Sequence, residues 1–244
     1  MKILITNDDG IAAEGIRALT EWAIKLGEIT VIAPKVEQSG KSHAIQFKEP
    51  FEIKRVDYVG GVTAYSLDST PADCVRFGYI GLKTKYDLVL SGINRGVNLG
   101  VDVNYSGTAG AIFEAGRLGM KGIAFSTYPD TLALAKEHLD RAYGFITENK
   151  LLEENPIFNV NIPPRPIGLR VTKQGSPYFS DEFERREGDM YQQMGHMIPD
   201  VCPDDLDRDT VALESGYISV TPLLVTRTNL DLFEKYKHLS HKDN

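Results

Sequence analysis

Several residues and patterns that often mark function are scarce in this chain. Cysteine occurs twice, as Cys74 and Cys202. The two lie far apart, without CxxC or zinc-ligand spacing, so two reduced thiols are expected. The five histidines contain no HExxH pair, and His196, His238 and His241 read as solvated side chains. No apolar run reaches the roughly 18 residues that would suggest a membrane-spanning helix. Lys2 is followed by a very short apolar run before acids arrive, so no signal peptide is expected, and a reducing cytoplasm is the expected compartment. An excess of basic residues is missing too. With 27 Lys and Arg against 34 Asp and Glu, the formal net charge is −7. That balance argues against a nucleic-acid polymer or an anionic membrane as partner. It leaves room for an anionic substrate, because a local cation can reverse the field within a cleft.

What remains is an ordinary globular composition, 42% hydrophobic and 25% charged. At 244 residues the chain suits one large domain, or a core domain with an appendage. Short β-branched runs alternate with amphipathic stretches through the first half. KILIT (2–6), ITVIA (29–33), DLVLSG (87–92) and GIAFS (122–126) read as buried strands. EGIRALTEWAIKLG, with Ile16, Leu19, Ala23 and Leu26 at helical spacing, reads as a helix stopping at Gly27. TAGAIFEAGRLG (108–119) and TLALAKEHLDRAYGFI, after Asp130, read as two more helices. This order predicts an α/β, Rossmann-like fold with a mostly parallel sheet flanked by helices.

Residues 46–67 interrupt the rhythm as a hairpin-like β excursion. Thr70, Pro71 and Asp73 then mark a helix start, with a capping hydroxyl, proline at the first turn and an early acid. The expected division is a core over 1–165 and a smaller β-rich region with an extended arm over 166–244. The later part contains a polar stretch over 175–202, the strand-like GYISVTPLLV and a terminal amphipathic segment, LDLFEKYKHL, with Leu230, Phe233 and Leu239 apolar.

Two tempting motifs fail. SGKS ends like a phosphate-binding P-loop, but Lys35 occupies the position where that motif needs its first glycine. Gly92, Gly96 and Gly100 recur every four residues, which is not the GxGxxG of dinucleotide binders. Four strand-end features agree better with one another. NDDG, following the first strand, supplies Asp8 and Asp9, with Gly10 permitting a tight turn. Ser39 follows the second strand, and Asn94 ends a third. Ser106, Gly107 and Thr108 precede a helix, where hydroxyls and free N–H groups suit a phosphate. In open α/β sheets ligands collect beyond the carboxyl ends of strands. Together these residues suggest a hard-cation centre beside a phosphate cradle: two carboxylates balance a divalent charge, while Ser39 and Asn94 offer neutral oxygens. The lack of thiolate and histidine clusters disfavours a structural zinc site.

The chain resembles the SurE family, stationary-phase survival protein E, whose members are metal-dependent 5′/3′-nucleotidases. The likeness rests on MKILITNDDGIAAEGIRAL, VIAPKVEQSGKSHAI, STPADCV, DLVLSGINRGVNLGVDVNYSGTAGAIFEA and GYISVTPL, in that order. It implies a Rossmann-like core, a β-rich C-terminal part and homodimers or homotetramers built partly through the arm. It also implies one divalent cation, Mg²⁺ or Mn²⁺, held by Asp8, Asp9, Ser39 and Asn94. The matched Ser106, Gly107 and Thr108 would lie near the phosphate, with Asn98 as a further contact.

The expected reaction is hydrolysis of nucleoside 5′- and 3′-monophosphates by a metal-activated water, with Asp8 favoured over Asp9 for handling that water. Lys41 and Arg95 are rim candidates for which a solvated role is preferred. A covalent aspartyl-phosphate is a competing mechanism, disfavoured because the acids are adjacent rather than in a DxD pattern. The rival functions are a non-catalytic, metal-dependent nucleotide binder and an exopolyphosphatase acting on short polyphosphate.

Overall fold

The computed structural model describes residues 1–240, so His241 lies outside the described residues. Alternation between strand and helix begins at once. Strand β1 (Lys2–Thr6) is followed by helix α1 (Glu14–Ala23) and β2 (Glu28–Pro34). The hairpin β3 (Ile53–Val56) and β4 (Thr63–Leu67) precedes α2 (Pro71–Arg76) and β5 (Leu88–Arg95). Helix α3 (Gly107–Arg117) leads to β6 (Lys121–Thr127), then α4 (Leu132–Lys136), α5 (Leu139–Glu148), α6 (Leu151–Glu154) and β7 (Ile157–Ile162). The remainder comprises β8 (Gly168–Val171), β9 (Glu182–Arg185), β10 (Tyr191–Met194), α7 (Asp209–Glu214), β11 (Tyr217–Leu223) and α8 (Leu230–Tyr236).

Nine strands form one sheet in the order β3-β4-β2-β1-β5-β6-β7-β11-β8. The run from β4 to β7 is parallel throughout. At one edge β3 is antiparallel to β4. At the other, β11 is antiparallel to β7 and parallel to β8. The expected α/β architecture is therefore present.

Burial on both faces explains the continuous apolar strands. In β1, Ile3 and Ile5 join Ile16, Leu19 and Trp22 of α1 and Leu139, Ala142 and Ile146 of α5. Leu4, between them, points to the opposite layer with Cys74 and Val75 of α2 and Ala111 and Ala115 of α3. The helix connecting β1 to β2 and the helix connecting β5 to β6 thus cover opposite faces. Their strands diverge at the β1/β5 junction, the place where an open α/β sheet leaves a crevice.

Three sequence expectations take a more specific form. The excursion over 46–67 is a hairpin, but β4 pairs in parallel with β2 and so extends the main sheet. GYISVTPLLV supplies β11, inserted between β7 and β8, so strands on both sides of residue 165 share one sheet. The separate β element is the exposed β9/β10 hairpin. The single helix expected after Asp130 is two helices. Short-range bonds from Glu137 N–H to Leu134 O and from His138 N–H to Ala135 O turn the chain, and both Ala135 and Leu139 reach the core.

The helix start at Thr70 forms as expected: its Oγ1 accepts the Asp73 N–H at 3.1 Å, and Pro71 occupies the first turn. Cys74 is buried and Cys202 exposed, both as free thiols. Among the described residues no helix is long and apolar enough to cross a membrane.

Candidate active site

Beyond Thr6 the chain stops being a strand and turns. Asn7 Nδ2 donates to Gly10 O at 2.9 Å, and Gly10 takes a positive φ of 97°, which a side chain would disfavour. The turn removes the strict alternation of faces that would separate adjacent acids. Asp8 is buried, and its Oδ1 accepts from Thr108 Oγ1 at 2.5 Å. Asp9 Oδ2 accepts the Arg95 backbone N–H at 3.2 Å, tying the turn to the end of β5 beside Asn94. The Asp8 carbonyl accepts the Gln38 N–H at 2.7 Å, drawing in the loop that carries Ser39. Three strand ends thereby converge on two adjacent residues.

Gly107 makes the closest approach possible. A Cβ there would stand 2.8 Å from Asp8 Cβ and 2.9 Å from Asp8 Oδ2. Thr108 is fully buried behind the carboxylate, while Ser106 reaches the cleft and also caps α3, its Oγ accepting the Ala109 N–H at 3.0 Å. Asn94 follows a register shift in the β5/β6 pairing, the kind of irregularity that re-aims a side chain. Its Nδ2 is committed to Gly96 O at 2.7 Å, leaving Oδ1 as the atom suited to a cation. Ser39 lies on an exposed turn with its Oγ donating to Glu37 Oε1 at 2.7 Å.

Asp8, Asp9, Ser39, Asn94, Asn98 and Ser106 line a cleft of about 1080 Å³, whereas Gly107 and Thr108 stand behind Asp8 and do not line it. Tyr105 and Phe179, 64% and 42% exposed, supply aromatic surface in the same cleft. Arg95 also lines it, with Nε donating to Pro129 O, whereas Lys41 does not.

Asn98 is held from behind by residues that the motif reading did not single out. Its N–H donates to Asn161 Oδ1, and its carbonyl accepts from Asn159 Nδ2 and Asn161 Nδ2, each at 2.8 Å. Its own Nδ2 donates to Ser126 Oγ at 2.8 Å. Asn159 and Asn161 are two apart in FNVNI, on one face of β7, and both are buried. Polar residues at that spacing in an apolar strand were the available signal.

Burial is the main reason that the Asp8 carboxyl is pushed up to about 6; the Thr108 hydrogen bond opposes this and the Asp9 charge adds to it. Burial also raises Asp9, against the hydrogen bond from Arg95. Among the described residues neither acid has an ion-pair partner. No group of three or more His, Cys, Asp or Glu forms a metal cluster among them either. A cation here would therefore rely on two carboxylates and neutral oxygens. That donor set fits a hard divalent ion.

Comparison with known proteins identifies the family. The family model described as "Survival protein SurE" matches residues 3–181. The chain belongs to the SurE family. It is 37% identical over 246 residues to the 5'-nucleotidase SurE of Thermosipho melanesiensis, covering 96% of each chain. The 5'-nucleotidase SurE of Legionella pneumophila is 36% identical over 258 residues, covering 99% of this chain and 96% of its own. The crystal structure of the SurE protein from Aquifex aeolicus superposes with a TM-score of 0.80 at 34% identity, covering 98% of this chain and 99% of that one. The SurE likeness thus extends past residue 181 into the C-terminal strands.

Proposed function

We propose that this SurE-family chain is a 5′-nucleotidase, a phosphomonoesterase that hydrolyses nucleoside 5′- and 3′-monophosphates and requires one divalent cation, Mg²⁺ or Mn²⁺. The observation that carries the reading is the junction of Asp8 with the Gly107–Thr108 start of α3. It sets an anionic, oxygen-donor pocket directly against a helix N-terminus suited to phosphate. The activity for which the relatives are named points the same way.

Asp8, Asp9, Ser39 and Asn94 would hold the cation. When bound, it would supply charge neutralisation for the phosphoryl group and acidify a water. Asp8, oriented by Thr108, positions the attacking water and accepts its proton. Ser106, with the backbone around Gly107, receives the phosphoryl oxygens, and Asn98, clamped by Asn159 and Asn161, borders the same space. Tyr105 and Phe179 offer flat surfaces to a nucleobase. With water as the attacking group, no aspartyl-phosphate forms.

The size of the cleft also favours hydrolysis of short polyphosphate as a side activity. Exposed Leu230, Leu232, Phe233 and Tyr236 on α8 support a homodimer or homotetramer through the C-terminal arm. The two unpaired thiols agree with a cytoplasmic compartment.

The deciding experiment measures phosphate release from AMP, GMP and 3′-AMP with Mg²⁺, Mn²⁺ or chelator, using Asp9→Asn as control. Metal-dependent release lost in the variant is expected. No release from any monophosphate would leave the non-catalytic nucleotide binder as the better reading.

A further inference from the structure

The loop carrying Ser39 has no regular secondary structure and is largely exposed. A metal donor on such a loop needs its position imposed from outside. The backbone supplies some of this: Gln38 N–H donates to Asp8 O at 2.7 Å, and Ser42 N–H donates to Tyr105 O at 3.0 Å. Ser42 Oγ also donates to Asn104 O at 2.5 Å. Gly110 lets the loop lie against α3, since a Cβ there would meet Ser42 O at 2.1 Å. Further along, Thr70 Oγ1 donates to Ala44 O at 2.7 Å, and the Gln46 N–H donates to Asp73 Oδ2 at 2.7 Å.

One attachment differs from these in joining two side chains. The His43 ring lies 2.7 Å from Glu114 Oε2. Glu114 is 1% exposed and belongs to α3. Its Oε1 accepts from Arg76 Nη1 at 3.0 Å and from Arg117 Nη2 at 2.7 Å, while Arg117 Nε reaches Oε2 at 2.9 Å. The carboxylate is thus fixed by two helices and offers its remaining reach to the loop.

We propose that Glu114 is a positioning residue which, through His43, holds the Ser39 loop at the distance from Asp8 that metal binding requires. The proposal rests on the nucleotidase reading of the cleft. Its geometric logic lies in α3. The first turn of that helix carries Gly107 and Thr108 against Asp8, and its last turns carry Glu114. One rigid element therefore sets the phosphate end, the carboxylate and the anchor of the neutral metal donor. Charge makes the anchor resistant to exchange with water, because a desolvated carboxylate gives up its partners at a high cost. Neither Glu114 nor His43 lines the cleft, so neither is assigned contact with substrate.

His43→Ala is the informative variant, because it frees the loop while leaving Glu114 paired with Arg76 and Arg117. In metal-free protein, trypsin cleavage after the exposed Lys41 is expected to speed up by about tenfold relative to wild type, a local-opening effect. Mn²⁺ affinity by calorimetry is expected to fall by about tenfold, as for other losses of outer support around a metal. His43→Gln, which can still hydrogen-bond Glu114, is expected to recover most of both. In a Ser39→Ala background, His43→Ala should change Mn²⁺ affinity less than about twofold, because the two act through one path.

Glu114→Gln provides a second route to the same result, read at a temperature where circular dichroism shows it folded. Unchanged Lys41 cleavage and Mn²⁺ affinity in His43→Ala would overturn the proposal. So would an effect of His43→Ala undiminished by Ser39→Ala. The proteolysis readout needs no turnover: faster cleavage without any nucleotide hydrolysis would retain the clamp and discard the nucleotidase reading.

Discussion

Thr108 Oγ1 donates a 2.5 Å hydrogen bond to Asp8 Oδ1 across 100 positions of sequence, joining the end of the first strand to the first turn of α3. The pair couples a carboxylate to the N-terminal end of a helix. It also counteracts the burial that raises the Asp8 carboxyl.

Thr108→Val keeps the shape and removes the donor. Hydrogen bonds to charged groups contribute about 1.5–3 kcal/mol, so a fall of roughly 10–100-fold in kcat/KM for AMP is expected. Without that bond Asp8 holds its proton more tightly, and the acid limb of the kcat/KM profile should move to higher pH. Thr108→Ser should retain both the rate and the limb. An unchanged profile in the valine variant would separate Thr108 from the chemistry.

Gly107→Ala sets helix propensity against a clash. Alanine is favoured in a helix by about 1 kcal/mol over glycine, but here its Cβ would press to within 2.9 Å of Asp8 Oδ2. Activity should fall by about 100-fold or more, as expected when a reacting group is displaced by about 1 Å. The thermal midpoint should move by only a few degrees, because the propensity gain offsets part of the strain. Wild-type activity in this variant would show that Asp8 does not need its observed position.

The raised Asp8 carboxyl also has a consequence for stability. Its folded pKa, about 6, lies above the ordinary value of 3.8. The stability linked to the bound proton is therefore fully present below about pH 4 and is lost as pH rises through about 6. Asp209, likewise raised to about 6 by burial, contributes in the same window, so the comparison must isolate Asp8. In metal-free protein, Asp8→Asn is expected to gain on wild type by up to about 3 kcal/mol between pH 4 and pH 7.5. Adding Mn²⁺ at pH 7.5 should raise the wild-type midpoint and leave that of the variant nearly unchanged. Parallel pH curves for the two proteins would contradict the burial argument.

Phe179 provides a test of base recognition. Its N–H and that of Tyr178 both donate to Asp102 Oδ2, at 3.0 and 2.7 Å, so the backbone carrying the ring is held to the cleft wall. Aromatic stacking with a base contributes about 1–3 kcal/mol. Phe179→Ala is expected to raise KM for AMP by roughly 5–100-fold with little change in kcat. Hydrolysis of β-glycerophosphate, which has no base, should be unaffected. Equal losses on both substrates would assign Phe179 a structural role instead.

Much of this arrangement was legible in the residues. Short β-branched apolar runs marked β1, β2, β5 and β6, and NDDG announced a turn with two acids because it ends an apolar strand. Other parts carried weak signals. The antiparallel insertion of β11 between β7 and β8 depends on which strand edges remain open once the parallel strands have assembled. Asn159 and Asn161 look like interruptions in a buried strand until the Asn98 carbonyl is seen between their amides. His43 and Glu114 are 71 positions apart, and no spacing rule connects them.

By itself the sequence determined strands β1, β2, β5, β6 and β11 and helices α1, α2 and α3, where the first strand must break, and which oxygen-bearing side chains stand at strand ends. Those properties follow from local periodicity, glycine and capping chemistry, which act over a few residues. Tertiary structure alone decided that Thr108 faces Asp8, that Gly107 leaves it room, that Glu114 reaches the Ser39 loop, and that burial raises the Asp8 carboxyl. Contact and desolvation depend on what packing brings together, and that is set by the fold as a whole.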